Sequence, residues 1–218
     1  MYLIGLWNPM AEKSPDVVWH SGSIGSEDRR RLTHNRPAVV WLTGLSGCGK
    51  STIAMALELT LVRSGHSAYV LDGDNLRHGL NSDLGFSAEH RTENIRRVSE
   101  VAKLFADAHV IAICSFISPY RHDRSHARKR IAPHAFFEVF VDAPLNICEQ
   151  RDPKQLYRKA REKLAAGTPM GFTGIDAPYE PPENPEVHVK THLQSVDECV
   201  QAVVGALQRR KILEGEPA

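Results

Sequence analysis

The sequence predicts an α/β fold, a parallel sheet covered by helices on both faces. Three observations carry that expectation. Short runs rich in β-branched residues alternate with segments whose apolar residues repeat at helical spacing, the pattern of strands joined by crossover helices. A glycine-rich stretch, GLSGCGKST from Gly44 to Thr52, sits between the first strand and the first long helix. The 218 residues, 42% of them hydrophobic, are enough for one substantial core and tight for two.

Residues 1–35 are polar and interrupted by Pro9, Pro15, Gly22 and Gly25, so they read as an arm with a short helix over 27–33. Residues 1–9 lack the basic flank and long apolar stretch of a signal peptide. The domain proper is expected at 36–218. Its first strand, AVVWLT at 38–43, lies between Pro37 and Gly44 and reads as buried. A helix over 51–64 follows, with Ile53, Leu57 and Leu61 on one face and Gly65 as its stop. A short strand at 68–71 runs into Asp72. The helix at 88–108 gathers Ile95, Val98, Ala102 and Phe105 on one face. A strand at 110–116, a polar helix at 120–131 and a strand at 136–141 continue the alternation. Short helices at 145–151 and 155–164, a last strand at 187–190 and an amphipathic helix at 196–210 close it. Residues 167–185 hold five prolines and three glycines, the composition of a mobile lid, expected near 160–185.

Lys and Arg number 27 against 26 Asp and Glu, so no global field favours nucleic acid or a membrane as partner. No apolar run reaches membrane-spanning length. Cys48, Cys114, Cys148 and Cys199 are too widely spaced for a zinc site or a disulfide framework, and free thiols suit a reducing cytoplasm.

The chemistry concentrates in Gly44 to Thr52, which fits G-x-x-x-x-G-K-[ST] with a strand before it and a helix after. Gly44, Leu45, Ser46, Gly47, Cys48 and Gly49 supply a backbone whose N–H groups can point at phosphate oxygens, and the helix N-terminus adds positive charge. Lys50 can reach the β- and γ-phosphates, and Ser51 can ligate magnesium, with Thr52 beside it. A phosphate loop alone does not separate a kinase from a switch. No Asn is followed by Lys, so the N-K-x-D guanine reader of a GTPase is missing. The strand at 110–116 ends in Ser115 and Phe116 rather than Asp. The carboxylates stand instead in Asp72-Gly73-Asp74, after the second strand. That pair reads either as a solvated turn or as the group that meets an acceptor hydroxyl and a metal-bound water in a small kinase.

Several further stretches, taken together, resemble the adenylylsulfate kinase family of P-loop kinases. They are DGDNLRHGL from Asp72, RTENIRR from Arg91, SFISPYR from Ser115 and GFTGID from Gly171, with VVWH from Val17 and CEQRD from Cys148 in the same register. The resemblance implies transfer of the γ-phosphoryl group of ATP to the 3′-hydroxyl of adenosine 5′-phosphosulfate, with Mg2+. It implies that Asp74, Asn75, Leu76, Arg77, Phe86, Arg91, Asn94, Ile117, Ser118, Lys154, Gly171 and Phe172 line the sulfated nucleotide. It puts Thr191, Gln194 and Cys199 at the ATP base, and by family analogy it implies a homodimer. Each assignment has a chemical sense. Guanidinium forks suit a phosphosulfate, and Phe86 and Phe172 could sandwich an adenine. Lys50, Asp74 and Ser118 are the expected catalytic group. The family's phosphorylatable serine falls at Ser118, but in-line transfer needs no phosphoenzyme, so a binding role is expected for it. Two departures stand out. Cys48 replaces a serine in the loop, and the expected lid is longer, with Met170 where lysine is usual. Two other readings remain at this stage: another small-metabolite kinase, or a nucleotide-binding module without turnover.

Overall fold

The computed structural model describes residues 16–18 and 20–213. Trp19 of the VVWH stretch, residues 1–15 with the signal-peptide reading, and the last residues of the tail lie outside the described residues. The elements are α1 (Ser26–Thr33), β1 (Ala38–Thr43), α2 (Lys50–Arg63), β2 (Ala68–Asp72), α3 (Gly73–Arg77), α4 (Ala88–Asp107), β3 (Ile111–Ser115), α5 (Arg121–Ile131), β4 (Ala135–Asp142), α6 (Leu145–Arg151), α7 (Leu156–Ala165), β5 (Val187–Lys190) and α8 (Val196–Arg209).

The five strands pair in the order β2-β3-β1-β4-β5, and every pairing is parallel. Central β1 is buried along its whole length, which explains its unbroken apolar run. Its side chains alternate between two cores. Val40 and Leu42 meet Ile53, Leu57 and Leu61 of α2 and Val203 and Leu207 of α8. Val39 and Trp41 meet Ile95, Val98 and Ala102 of α4 and Ala127 and Ile131 of α5. The sheet is thus covered on both faces, as its sequence pattern requires. Because β1 has β3 on one side and β4 on the other, the chain reverses its direction of travel there. A crevice opens at the carboxyl ends of strands at such a point.

Helix α3 is not part of the sequence expectation. Asp72 opens it by accepting a hydrogen bond from the Asp74 N–H at 3.0 Å, so the Asp-Gly pair starts a helix instead of a turn. At the other end of the sheet the arm is fastened. Buried Asn35 donates to the carbonyls of Ser67 (2.7 Å) and His109 (3.2 Å), which precede β2 and β3. Ser26 of α1 meets His109 Nε2 at 2.8 Å. All four cysteines are free and buried.

Candidate active site

The phosphate loop leaves β1 at Gly44, where a side chain is excluded by close approach: a Cβ there would stand 2.3 Å from the Val141 carbonyl oxygen. Gly49, with φ of 103°, turns the chain into α2. The loop is held from behind. Tyr157 donates its hydroxyl to the Ser46 carbonyl (2.9 Å), and Thr191 donates to the Cys48 carbonyl (2.8 Å). Lys50 folds back over the loop, donating to the carbonyls of Gly44 (3.0 Å) and Leu45 (2.7 Å). The Cys48 thiol is fully buried, 3.8 Å from Lys50 Nζ, and does not line the cleft.

Ser51, in the first turn of α2, donates to Asp72 Oδ2 at 2.8 Å. Asp72 is buried and its other oxygen holds the Asp74 N–H. The two carboxylates of the DGD stretch are therefore in different situations. Asp72 faces the loop's hydroxyl, whereas Asp74 is largely exposed on the cleft wall and pairs with Lys154. A hydroxyl and a carboxylate side by side next to a phosphate loop are a hard-oxygen donor set suited to magnesium. Ser51 and Asp72 could hold the ion; the sequence expectation named Ser51 as its ligand.

A cleft of about 670 Å³ opens between these elements. The expected ATP-side residues Ser46, Gly47, Gly49, Lys50, Ser51, Thr52, Thr191, Gln194 and Cys199 all line it. Of the expected acceptor-side residues, Asp74, Arg77, Phe86, Arg91, Asn94, Ile117, Ser118, Lys154, Gly171 and Phe172 line it too. Gly44, Leu45, Cys48, Asn75 and Leu76 do not. The two aromatic rings differ in setting. Phe86 is 64% exposed, with the Arg77 guanidinium 4.3 Å from its ring centroid. Phe172 is half-buried and set edge-on to Tyr157, centroids 4.9 Å apart.

Two of these cleft-lining side chains are also tied to the surrounding protein. The Arg91 guanidinium donates to the Gly171 carbonyl, the Thr173 hydroxyl and, at 2.9 Å, the Phe86 carbonyl, so it ties the α4 N-terminus to the 171–173 segment. Ser118 is only 2% exposed, and its Oγ accepts a hydrogen bond from the Trp41 indole at 3.1 Å. Its φ of 39° is left-handed, and Arg124 donates to its carbonyl at 2.8 Å.

Sequence reasoning missed Asp72 as a partner of Ser51, although the carboxylate at the end of β2 was visible. It also missed Arg151, which lines the cleft and donates to the Thr191 hydroxyl (3.0 Å) and carbonyl (2.9 Å). Tyr157 was missed as well. Burial pushes its hydroxyl pKa up, so it stays a donor at any ordinary pH. Asp176 accepts from the N–H groups of Gly171 (2.8 Å) and Phe172; desolvation is the largest single influence and raises its pKa, but backbone hydrogen bonds from Gly171, Phe172, Asp176 and Met170 together hold it below the usual carboxylate value.

A family model described as adenylylsulphate kinase matches residues 36–190. The adenylyl-sulfate kinase of Clostridium acetobutylicum is 53% identical over 202 residues, covering 93% of this chain and 98% of its own. The chloroplastic adenylyl-sulfate kinase 2 of Arabidopsis thaliana is 53% identical over 209 residues, covering 94% and 70% respectively. Among solved structures, the Mycobacterium tuberculosis APS kinase in complex with AMPPNP and APS superposes with a TM-score of 0.75 at 52% identity, covering 80% of this chain and 99% of that one.

Proposed function

The chain belongs to the adenylylsulphate kinase family, and from that premise we propose how its own residues divide the family's reaction. It is an ATP-dependent kinase that transfers the γ-phosphoryl group to the 3′-hydroxyl of adenosine 5′-phosphosulfate, giving the 3′-phosphorylated product and ADP. One observation carries the division of labour: Asp72, the last residue of β2, meets the Ser51 hydroxyl, whereas Asp74, two residues on, stands at the cleft wall beside Lys154.

ATP occupies the side lined by the phosphate loop, Thr191 and Arg151. Lys50 leaves the loop carbonyls for the β- and γ-phosphates and follows the charge of the migrating group. Ser51 and Asp72 would hold magnesium, which would supply positive charge against the phosphate oxygens. The acceptor occupies the opposite wall, with Phe86 stacking its adenine and Arg77 bracing that ring from behind. Asp74 orients the 3′-hydroxyl and takes its proton as the new O–P bond forms and the bond to the leaving ADP oxygen breaks. Ser118 stays out of the covalent chemistry and shapes the acceptor wall. Residues 36–218 form the kinase domain, residues near 160–185 act as its lid, and the active form is a homodimer in the cytoplasm. Among the described residues no helix is long and apolar enough to cross a membrane.

The exposed ring of Phe86 allows a test that leaves the fold alone. Phe86→Ala should raise KM for adenylylsulfate about 5- to 100-fold, the worth of one base–aromatic stack, with KM for MgATP nearly unchanged. Equal effects on both substrates would remove Phe86 from the acceptor site.

A further inference from the structure

We propose that Tyr157, which lines neither substrate position, is a positioning residue that couples the two halves of the active site. The inference rests on the kinase reading above. Its basis is that one buried side chain touches both halves. Tyr157 is 2% exposed and stands in the first turn of α7. Its backbone is fixed by the Asp152 carboxylate, which accepts from the N–H groups of Leu156 (2.8 Å), Tyr157 (3.2 Å) and Arg158 (3.1 Å). The hydroxyl at one end of the ring holds the Ser46 carbonyl at 2.9 Å, and the ring meets Phe172 at 81°.

The Ser46 contact has a consequence for phosphate binding. In a trans peptide the carbonyl and the following N–H lie in one plane and point in opposite directions. Fixing the Ser46 carbonyl toward α7 therefore turns the Gly47 N–H the other way, toward the cleft that Gly47 lines. The orientation has little slack, because a Cβ on Gly47 would already stand 3.0 Å from the Cys148 carbonyl. On the acceptor side, the Tyr157 ring stands edge-on against the Phe172 ring. The same segment reaches the loop once more at Gly174, where a Cβ would lie 3.1 Å from Leu45 Cδ2. A phosphate that orders the loop thus also orders the Phe172 ring through Tyr157, and the effect is reciprocal by linkage.

Two variants separate the two ends of the side chain. Tyr157→Phe removes only the hydroxyl, and Tyr157→Leu removes the ring edge as well. The readouts are KM for each substrate, kcat, thermal unfolding, and calorimetric affinity for adenylylsulfate with and without saturating Mg-AMPPNP. In the wild type the analogue should tighten adenylylsulfate binding at least about fivefold, within the usual range of coupling between sites. Tyr157→Phe should bring that ratio close to one and raise KM for MgATP about fivefold, the worth of one neutral hydrogen bond. Its affinity for adenylylsulfate alone should stay within about twofold, since the ring remains. Tyr157→Leu should weaken adenylylsulfate binding even without nucleotide. A wild type with no coupling, or a Tyr157→Phe variant with the wild-type ratio, overturns the proposal. So does a variant whose only change is a lower unfolding temperature. Absence of turnover with adenylylsulfate in the wild type would instead strike the kinase reading itself.

Discussion

At Ser118 a left-handed backbone, a buried hydroxyl and an indole donor coincide, and together they make the residue a lock. Its Oγ is occupied by Trp41, and its carbonyl by Arg124. Removing the hydroxyl leaves a buried indole N–H without a partner, which should cost about 1–3 kcal/mol of stability. Ser118→Ala should therefore melt earlier while keeping kcat within about tenfold of wild type, an effect expected of one lost hydrogen bond. Asp74→Asn should do the reverse: unfolding unchanged, because the side chain is exposed, and kcat lower by about 10²–10⁴, the range for loss of a general base. Steady-state kinetics beside thermal melts on the two variants check this, and a dead but stable Ser118→Ala would refute it. At this scale the sequence was informative where chemistry depends on residue type and spacing, as in Lys50 and Ser51. It was silent where the partner is remote in the chain. Nothing near Ser118 announces Trp41, 77 positions away, and nothing near Ser46 announces Tyr157, 111 positions away.

Among the elements, α4 carries the acceptor wall at its N-terminus and depends on charge along its exposed flank. Glu93 accepts from Arg96 at 2.7 Å and from Arg97 at 2.8 Å, and Arg97 also pairs with Asp83 before the helix. The Arg96 hydrogen bond is the largest cause that holds the Glu93 carboxyl down to about 2; burial works against it and Arg97 adds to it. The folded value lies below the ordinary 4.5, so this contribution to stability is complete above about pH 4.5 and is lost as the pH falls through about 2. The pair is partly solvated, which limits its size. The gap in unfolding temperature between wild type and Glu93→Gln should be flat from neutral pH to about 4.5 and close steadily below it. A gap that stays constant into the acid range would show that Glu93 contributes packing rather than charge. Element periodicity made α4 plain in the sequence, since a 20-residue amphipathic helix leaves a long signal. Five-residue α3 left none, because its start depends on an Asp72 side chain turned onto its own backbone.

In the whole molecule, the sheet order puts β1 between β3 and β4, and the loop, α3 and the Ser115–Pro119 stretch meet at one end of the strands. Two cores pack on opposite faces of the sheet, and Asn35 binds its other end to the arm. The alternation of strands and helices was legible because buried parallel strands read as apolar runs and their crossovers as amphipathic helices. The strand order, the fastening of the arm and the use of Arg91 as a tie to residues 171–173 were not, since each is a contact between distant segments. One fold can carry many activities, so architecture alone does not choose the acceptor. The acceptor is therefore where the account is most directly tested. ADP release from MgATP should be followed with and without adenosine 5′-phosphosulfate, and the product examined by phosphorus NMR. One new phosphomonoester on the ribose 3′-oxygen per ADP formed, with no appreciable ADP release when the acceptor is left out, is the result expected. ADP formed at the same rate without adenylylsulfate, or a phosphate on any other oxygen, would contradict it.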